Sequence, residues 1–315
     1  MVIHNLDLLL VGHLCLDESK KEDTTEYSPG GVVYYSPSAA LLSGISVGMV
    51  TKFNGRIKIL TSYAREIAKQ GCRLFGNSSG TTAIFTNDYV DKKDLDQRVT
   101  SLLEPGNHFS ILDLPKSIIP RIYHLGSLVR DDIPFEMVEE IKKKAHRFDS
   151  LVAIDIQGFL RTANGDGELS YKPIPNPSTF FQGVDYLKVD KKEAEFLVNE
   201  GKPFYSFSDL VSATKQLAEL GPKEVILTHK GGVISYYSFK NHHYYARFFP
   251  AKAIGRTGRG DTCFSAYLSQ RLKGIMPQEA LHYAAALTIA KMHHTGPVTQ
   301  EDRTNIQKYF KWVKL

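Results

Sequence analysis

The sequence has few cysteines, a single tryptophan and no long apolar run. Its 315 residues include three cysteines, Cys15, Cys72 and Cys263. Because this number is odd and no C-x-x-C spacing occurs, the cysteines argue against a disulfide framework or a zinc site and favour the reducing cytoplasm. No run of about 18 apolar residues is present to span a membrane. The apolar run Leu8–Val11 is too short for a signal peptide.

Neither sign of charge dominates the chain. The formal net charge is +5, with 42% hydrophobic and 23% charged residues, which is ordinary globular composition. There is no basic tail and no interleaving of aromatic and basic residues, so we expect neither a nucleic-acid partner nor a membrane partner. The length is sufficient for a large hydrophobic core without disulfides or metals.

Short apolar runs alternate with stretches in which apolar residues recur every three or four positions. The runs predict strands at Leu6–Val11, Val47–Lys52, Arg121–Leu125, Leu151–Ile156, Val184–Val189 and Glu224–Thr228. The periodic stretches predict helices at Ile57–Gln70, Pro134–Arg147, Lys191–Asn199 and Phe207–Leu220. This alternation predicts a parallel α/β sheet. A hairpin of Val233–Phe239 and His242–Phe248 follows, and then helices over 262–273, 277–293 and 299–312.

Two stretches break this alternation. Residues 13–35 and 80–100 are polar and strand-like, and both have the pattern of antiparallel strands with one wet face. We expect them to pair into a small sheet over the main domain. The chain is thus predicted to be one domain over 1–315, with a lid from inserted segments at about 13–35 and 78–102.

The run Gly255-Arg256-Thr257-Gly258-Arg259-Gly260-Asp261-Thr262 leads into a predicted helix that begins near Asp261. Glycines let the backbone approach a ligand, and a helix start offers unpaired amides to an anion. An aspartate there would repel an anion, so it does not suit a site that only binds anions. It suits a site in which the aspartate accepts a proton while the amides hold a phosphoryl group. The plain alternative is a helix cap, because aspartate is a good N-cap residue.

With these pieces in order, the chain resembles the ribokinase family, the phosphofructokinase-B type of small-molecule kinases. Five segments carry the resemblance over nearly the whole length: Val11-Gly12-His13-Leu14-Cys15-Leu16-Asp17, Gly30-Gly31, Thr82-Ala83-Ile84-Phe85, Asp190-Lys191-Lys192-Glu193 and Gly258-Arg259-Gly260-Asp261-Thr262. The resemblance implies a ribokinase-like fold: a doubly wound, mostly parallel sheet flanked by helices, with a small β-sheet lid.

The resemblance also implies transfer of the ATP γ-phosphoryl group, with Mg²⁺, to a hydroxyl of a sugar or polyol. Asp261 would be the catalytic base, and the amides of Gly258, Arg259 and Gly260 would form the anion hole. We expect the helix N-terminus to lower the pKa of Asp261. By the same resemblance the substrate would be bound by Asp17, Gly30, Gly31, Tyr35 and Thr82, the nucleotide by Asp190, Thr228, Lys230, Gly231 and Thr257, and magnesium, through water, by Glu193.

Two further predictions rest on position in the chain. Asp155 ends a central strand on the side where α/β sheets bind ligands, so we assign it to the substrate. Gln157 close by is a candidate on the same ground, and both are weaker candidates than the residues that the resemblance implies. His294 follows a helix, which suits a place near the adenine ring.

The chain departs from the family pattern at several sites. Asp190 replaces an asparagine, Arg259 an alanine and Tyr35 the substrate-side asparagine. Gly255 stands where the family has an aspartate, in a region that helps to hold a monovalent cation. Activation by a monovalent cation is therefore left open.

Other functions are weighed against this one. A nicotinamide-dependent oxidoreductase needs G-x-G-x-x-G after the first strand and a P-loop NTPase needs G-x-x-x-x-G-K-[ST]; the sequence has neither. A nucleoside kinase of the same fold and an inactive sugar-binding relative stay open, although Asp261 argues against the latter. The acceptor is a hexose, a pentose, a cyclic polyol such as inositol, or a nucleoside. A homodimer formed through the lid is also left open.

Overall fold

The computed structural model describes residues 4–21, 24–78, 80–89, 98–248 and 253–313. Its strands, numbered in chain order, are β1 (Leu6–Val11), β2 (Cys15–Lys21), β3 (Thr24–Gly30), β4 (Val47–Val50), β5 (Lys52–Phe53), β6 (Arg73–Leu74), β7 (Asn77–Ser78), β8 (Ile84–Tyr89), β9 (Arg98–Glu104), β10 (Pro120–Gly126), β11 (Leu151–Asp155), β12 (Arg161–Ala163), β13 (Leu169–Tyr171), β14 (Tyr186–Asp190), β15 (Glu224–His229), β16 (Gly232–Tyr237) and β17 (His242–Arg247). Its helices are α1 (Val32–Leu42), α2 (Lys58–Lys69), α3 (Phe135–Arg147), α4 (Gln157–Leu160), α5 (Pro177–Phe181), α6 (Lys191–Val198), α7 (Phe207–Glu219), α8 (Arg259–Leu272), α9 (Pro277–Lys291), α10 (Gln300–Asn305) and α11 (Gln307–Val313).

The main sheet has nine strands in the order β17-β16-β15-β14-β11-β10-β1-β4-β6. All pairs from β15 to β6 are parallel, whereas β15–β16 and β16–β17 are antiparallel. The predicted parallel sheet and the predicted hairpin at its edge are both confirmed. Asn241 takes a left-handed conformation (φ 46°) at the turn of that hairpin, as asparagine tolerates.

Helices cover both faces of this sheet. Side chains alternate between faces along a strand, and β1 shows the result: Leu8 and Leu10 belong to one buried cluster, Leu9 and Val11 to the other. The first cluster includes residues of α1, α2, α8 and α9; the second includes residues of α3, α6 and α7. A strand buried on both faces reads as a continuous apolar run, which is why the sequence predicted these strands well.

A separate four-stranded sheet, in the order β3-β2-β8-β9, forms the lid. The pairs β2–β3 and β8–β9 are antiparallel, and β2 and β8 join them in parallel. The prediction that these two segments pair is therefore confirmed. Its bounds need correction, because α1 begins at Val32 inside the predicted first segment, and residues 79 and 90–97 of the second lie outside the described residues.

Three local predictions were incomplete. The helix predicted over 299–312 consists of two shorter helices, α10 and α11. Helix α8 begins at Arg259, two residues before Asp261, because Gly258 supplies the left-handed N-cap (φ 78°). The short hairpin of β12 and β13 was not foreseen. In the described part of the chain no helix is both long enough and apolar enough to cross a lipid bilayer.

Candidate active site

A cleft of about 820 Å³ lies between the lid sheet and the carboxyl ends of the central strands. Asp155 and Asp190, the last residues of β11 and β14, line it from the main sheet. Asp17 of β2 and Asn87 of β8 line it from the lid. In an open α/β sheet, ligands bind outside the carboxyl ends of the strands, so this cleft is the candidate active site.

The turn before α8 forms one wall of the cleft. Thr262 N–H donates to Gly258 O at 3.0 Å and so closes the first turn of the helix. The N–H groups that precede Thr262 in this turn have no acceptor within the helix. Arg259 N–H is used within the loop, where it donates to Arg256 O at 3.2 Å. Of the three amides predicted to form an anion hole, that of Arg259 is therefore already hydrogen-bonded within the loop.

Gly258 is a glycine for two physical reasons. Its backbone is left-handed (φ 78°), a conformation that costs other residues free energy. A Cβ atom built on it would also lie only 2.2 Å from the ring of Tyr35. The buried Tyr35 ring thus packs directly under the turn, and no side chain fits between them.

Asp261 stands in the first turn of α8 and is partly accessible from the cleft. Its pKa is raised to about 6, above its ordinary value, chiefly because burial penalises the charge and secondly because Asp155 is near. Lys188 and Lys291 oppose this rise. The prediction that the helix start lowers this pKa was wrong, because desolvation and a neighbouring carboxylate outweigh the favourable field of the helix.

Lys188 is the residue of the site that sequence reasoning missed. Its side chain is buried in β14, and its ammonium lies 3.1 Å from Asp155 Oδ1 and 3.9 Å from Glu193 Oε2. A Cβ built on Gly260 would be 3.3 Å from Lys188 Nζ, so the charge lies beside the turn that opens α8. The available signal was a lysine inside an otherwise apolar strand, where a charge needs a partner.

Asp190 and Glu193 form a reciprocal cap at the start of α6. Asp190 Oδ1 accepts from Glu193 N at 2.8 Å, and Glu193 Oε2 accepts from Asp190 N at 2.6 Å. Glu193 is fully buried, which raises its pKa to about 8, with Asp190 adding to the rise and Lys188 opposing it. Asp190 lines the cleft and Glu193 does not.

This arrangement bears on magnesium. Within the described ranges no group of three or more His, Cys, Asp or Glu residues could hold a metal ion by itself. Mg²⁺ keeps several waters and needs only one or two carboxylates, so Asp190 at the cleft wall fits such a site. Glu193 would hold Asp190 in place from behind.

The substrate side of the cleft contains a carboxylate beside aromatic rings. Asp17 lies within β2, and the backbone of Gly30 passes so close that a Cβ there would be 2.5 Å from Asp17 Oδ2. Burial, and then Asp17, raises the pKa of Tyr34, which stacks edge-on against Tyr35 with 4.7 Å between centroids. Gly30 therefore acts by leaving room for Asp17.

Most predicted site residues come together. Those that line the cleft are Asp17, Gly31, Tyr35, Asp155, Asp190, Thr228, Lys230, Thr257, Gly258, Arg259, Gly260 and Asp261. Five others lie outside the lining: Gly30, Thr82, Glu193, Gly231 and His294. Thr82 is buried, where its hydroxyl oxygen accepts from Asn54 N at 2.5 Å, and His294 pairs with Asp302 at 2.7 Å.

The sequence and the fold both match known proteins. Residues 122–303, more than half of the chain, match the sequence model of the pfkB family carbohydrate kinases. Among curated proteins, no sequence matches significantly. A pyrophosphate-dependent kinase in the ribokinase family, complexed with a pyrophosphate analog and myo-inositol, is 26% identical, with a TM-score of 0.81 over 94% of this chain and 98% of that chain.

Two further solved structures share the fold at lower identity. Arabidopsis thaliana ribokinase, complexed with ribose and ATP, has a TM-score of 0.72 at 18% identity, over 97% of this chain and 99% of that one. Escherichia coli phosphofructokinase-2, complexed with fructose-6-phosphate, has a TM-score of 0.68 at 14% identity, over 97% and 99%. At these identities the likeness concerns the fold alone.

The doubly wound sheet, the small lid and the cleft between them define the class: an α/β kinase of small molecules with a ribokinase-like fold. Within that class the chain belongs to the pfkB family of carbohydrate kinases. It is a phosphotransferase with an alcohol group as acceptor.

Proposed function

We propose that the protein transfers a phosphoryl group to a hydroxyl of a sugar or polyol, with Asp261 as the base. The observation that carries the proposal is the juxtaposition at the start of α8. There a carboxylate whose pKa is raised to about 6 stands next to the amides of Gly258 and Gly260. Such a group is ionised at neutral pH and basic enough to take a proton, while the amides stabilise the charge that develops on the phosphoryl oxygens.

In this mechanism the acceptor hydroxyl lies between Asp17 and Asp261. Asp261 takes the hydroxyl proton as the oxygen attacks phosphorus, and the bond from phosphorus to the donor breaks in line with the attack. The ammonium of Lys188 beside Gly260 would stabilise negative charge on the transferred group. When bound, Mg²⁺ would shield the donor phosphates, with Asp190 holding it on the cleft wall.

A neutral cyclic polyol is the acceptor that the cleft supports best. Several hydrogen-bonding side chains face it from the lid and from the loops: Asp17, Asn87, Thr100, Ser127, Gln157 and Ser170. Tyr35 and Phe85 add flat apolar surface for one face of a ring. A ring that carries many hydroxyls satisfies such a set of donors and acceptors, and the 26% identical kinase is complexed with myo-inositol.

The donor predicted from the sequence is ATP, and inorganic pyrophosphate is a second candidate. Besides Lys188, the cleft is lined by Lys192, Lys230, Arg256 and Arg259, an array that suits a compact polyanion. Arg259 stands where an uncharged alanine would suffice for an anion hole of amides alone. The solved structures at 26% and 28% identity are both of pyrophosphate-dependent kinases.

The decisive experiment replaces the base. Asp261→Asn should lower kcat by roughly 10²–10⁴, because proton removal by a positioned base contributes about that factor. Asp209→Asn is the matched control, since Asp209 also lies in the first turn of a helix (α7) but does not line the cleft. Turnover is measured by ³¹P NMR and folding by thermal denaturation. Turnover of Asp261→Asn at the wild-type rate would exclude Asp261 as the base.

A screen of phosphoryl donors and acceptors identifies the two substrates. Magnesium ATP and magnesium pyrophosphate are each offered with myo-inositol, ribose, fructose, fructose-6-phosphate and adenosine. We expect the highest kcat/KM with the cyclic polyol. Phosphorylation of adenosine in preference to every polyol would contradict the assignment of the acceptor, and the ratio of rates with the two donors decides between ATP and pyrophosphate.

A further inference from the structure

Lys291, the last residue of α9, places a buried ammonium against the loop that precedes the anion-binding turn. Its side chain is only 1% exposed. Its Nζ donates to Gly255 O at 3.0 Å and to Thr257 O at 2.5 Å. These two carbonyls belong to the residues just before Gly258, so one charge holds both sides of the loop that leads into the turn.

The same loop is fastened to the end of α9 by its backbone. Ile254 N and Gly255 N both donate to Met292 O, at 2.8 and 3.2 Å. A Cβ built on Gly255 would lie 2.2 Å from His294 O, so the loop reaches this position only with a glycine there. The loop is thus seated closely on the end of α9.

The surroundings favour a cation at this point. The carboxyl end of a helix attracts positive charge, and the ring of Tyr35 lies 5.4 Å from Lys291 Nζ. Burial lowers the pKa of Lys291 to about 8, Asp261 and Asp302 oppose that change, and Arg259 adds to it. The ammonium therefore carries its charge at neutral pH, although it is almost wholly desolvated.

We propose that Lys291 is a built-in cation: it holds the carbonyls of Gly255 and Thr257 and so positions the anion-binding amides of Gly258 and Gly260. Carbonyl oxygens that converge on one point also bind monovalent metal ions, and here the protein fills that point with its own ammonium. Lys291 is a positioning residue, because it acts through the loop. The inference rests on the proposed function, in which that loop binds the transferred phosphoryl group.

The first test leaves the protein unchanged. Turnover of the wild-type enzyme is compared in K⁺, Na⁺ and tetramethylammonium chlorides at one ionic strength, with tetramethylammonium as the cation too large to be enclosed. We expect the three rates to agree within about twofold. A wild-type enzyme that is inactive without K⁺ would overturn the proposal, because the point would then not be filled by Lys291.

The second test removes the ammonium. Lys291→Met should lower kcat by about 10²-fold, the order seen when preorganised stabilisation of an oxyanion is lost, with little change in the KM of the acceptor. Addition of NH₄⁺ or K⁺ should restore several-fold of that loss in a saturable manner, and Lys291→Arg should retain more activity than Lys291→Met. Lys273→Met is the matched control, because Lys273 also donates to a backbone carbonyl, that of Ser43, at a helix end away from the cleft lining. Wild-type kcat in Lys291→Met, or a loss that no cation restores, would contradict the proposal.

An anion-binding readout separates this inference from the proposed function. Pyrophosphate should raise the melting temperature of the wild-type protein in tetramethylammonium buffer, since a ligand stabilises the folded state that binds it. Lys291→Met should lose this shift and regain it with NH₄⁺. If no donor or acceptor supports turnover, the proposed function fails, but the shift still tests the role of Lys291. If turnover is present and the shift of Lys291→Met equals that of the wild type, only the inference fails.

Discussion

Lys188 and the two acids beside it show how the protein stabilises buried charges of opposite sign next to the cleft. Asp155 and Glu193 flank the buried Lys188 at 3.1 and 3.9 Å. The two acids raise the pKa of Lys188 above its usual range against the effect of burial. Removal of the lysine would leave the buried carboxylate of Asp155 without its counter-ion, which is far more costly than the net gain of the pair itself.

The raised pKa of Asp261 predicts an acid limb in the pH profile of kcat/KM. The base must be ionised, so kcat/KM should fall as the pH falls through about 6, and should be level between there and neutral pH. Asp155→Asn removes a negative neighbour that raises this pKa, and so should move the limb to lower pH, whereas Asp209→Asn should leave it in place. The pH dependence of kcat/KM measures this. A wild-type limb below pH 4 would show that Asp261 is not perturbed as the structure indicates.

The limits of sequence reasoning are also clearest at this scale. Asp261 and Gly258 were predictable because they adjoin in the chain and their chemistry is local. The roles of Lys188 and Lys291 could not be predicted, because each depends on a partner far along the chain. The partner of Lys188 is Asp155, 33 residues away, and that of Lys291 is Gly255, 36 residues away. The placement of His294 near the nucleotide stays a prediction, and its ring is engaged by Asp302.

Among the elements, the turn that opens α8 imposes a tight steric demand, because a Cβ at Gly258 would lie 2.2 Å from the ring of Tyr35. The strands and helices around it were predicted to within a few residues, since buried apolar runs and helical periodicity are strong signals. The hairpin β12–β13 was missed because its two strands have only three residues each, too few to show a period. The contact between Gly258 and Tyr35 could not be predicted from the sequence, because the two residues are 223 positions apart, at the start of α8 and in α1.

Gly258→Ala tests this contact against a control in the same helix. Gly274, just beyond the other end of α8, has nearly the same φ (77° against 78°) but nothing within 4 Å of a built Cβ. Gly274→Ala should cost about 1–2 kcal/mol of stability from the left-handed backbone alone. Gly258→Ala should cost about 1–3 kcal/mol more from overpacking on Tyr35 and should abolish most turnover. Denaturant titration and kcat report both; equal losses in the two variants would exclude the steric effect of the ring.

For the molecule as a whole, the lid leaves apolar side chains uncovered. Val99 and Leu103 of the edge strand β9 are 58% and 53% exposed. Leu103 lies at the register shift between β8 and β9, where it stands outside the regular pairing of the two strands. The backbone of β9 already bonds to its own chain at this edge, since Leu102 N donates to Gly167 O at 2.8 Å. Exposed apolar side chains are suited to packing against a partner, so we propose the homodimer through the lid that the sequence leaves open.

Light scattering after size exclusion tests that assembly. We expect the mass of a dimer for the wild type and of a monomer for Val99→Glu/Leu103→Glu, because four buried charges would face one another across the interface. Leu112→Glu is the control, since Leu112 is 81% exposed and lies outside the lid. A monomeric wild-type protein, or a double variant that stays dimeric, would rule out this interface.

The two segments of chain that enter the lid, before β2 and before β8, are both hydrogen-bonded to one short stretch of chain. Before β2, Leu14 N donates to Thr51 Oγ1 at 2.8 Å; before β8, Thr82 Oγ1 accepts from Asn54 N at 2.5 Å. The lid sheet is therefore anchored at two neighbouring points along residues 51–54. Any movement of the lid over the cleft that keeps these two hydrogen bonds would leave Leu14 and Thr82 in place and displace the far ends of the lid strands.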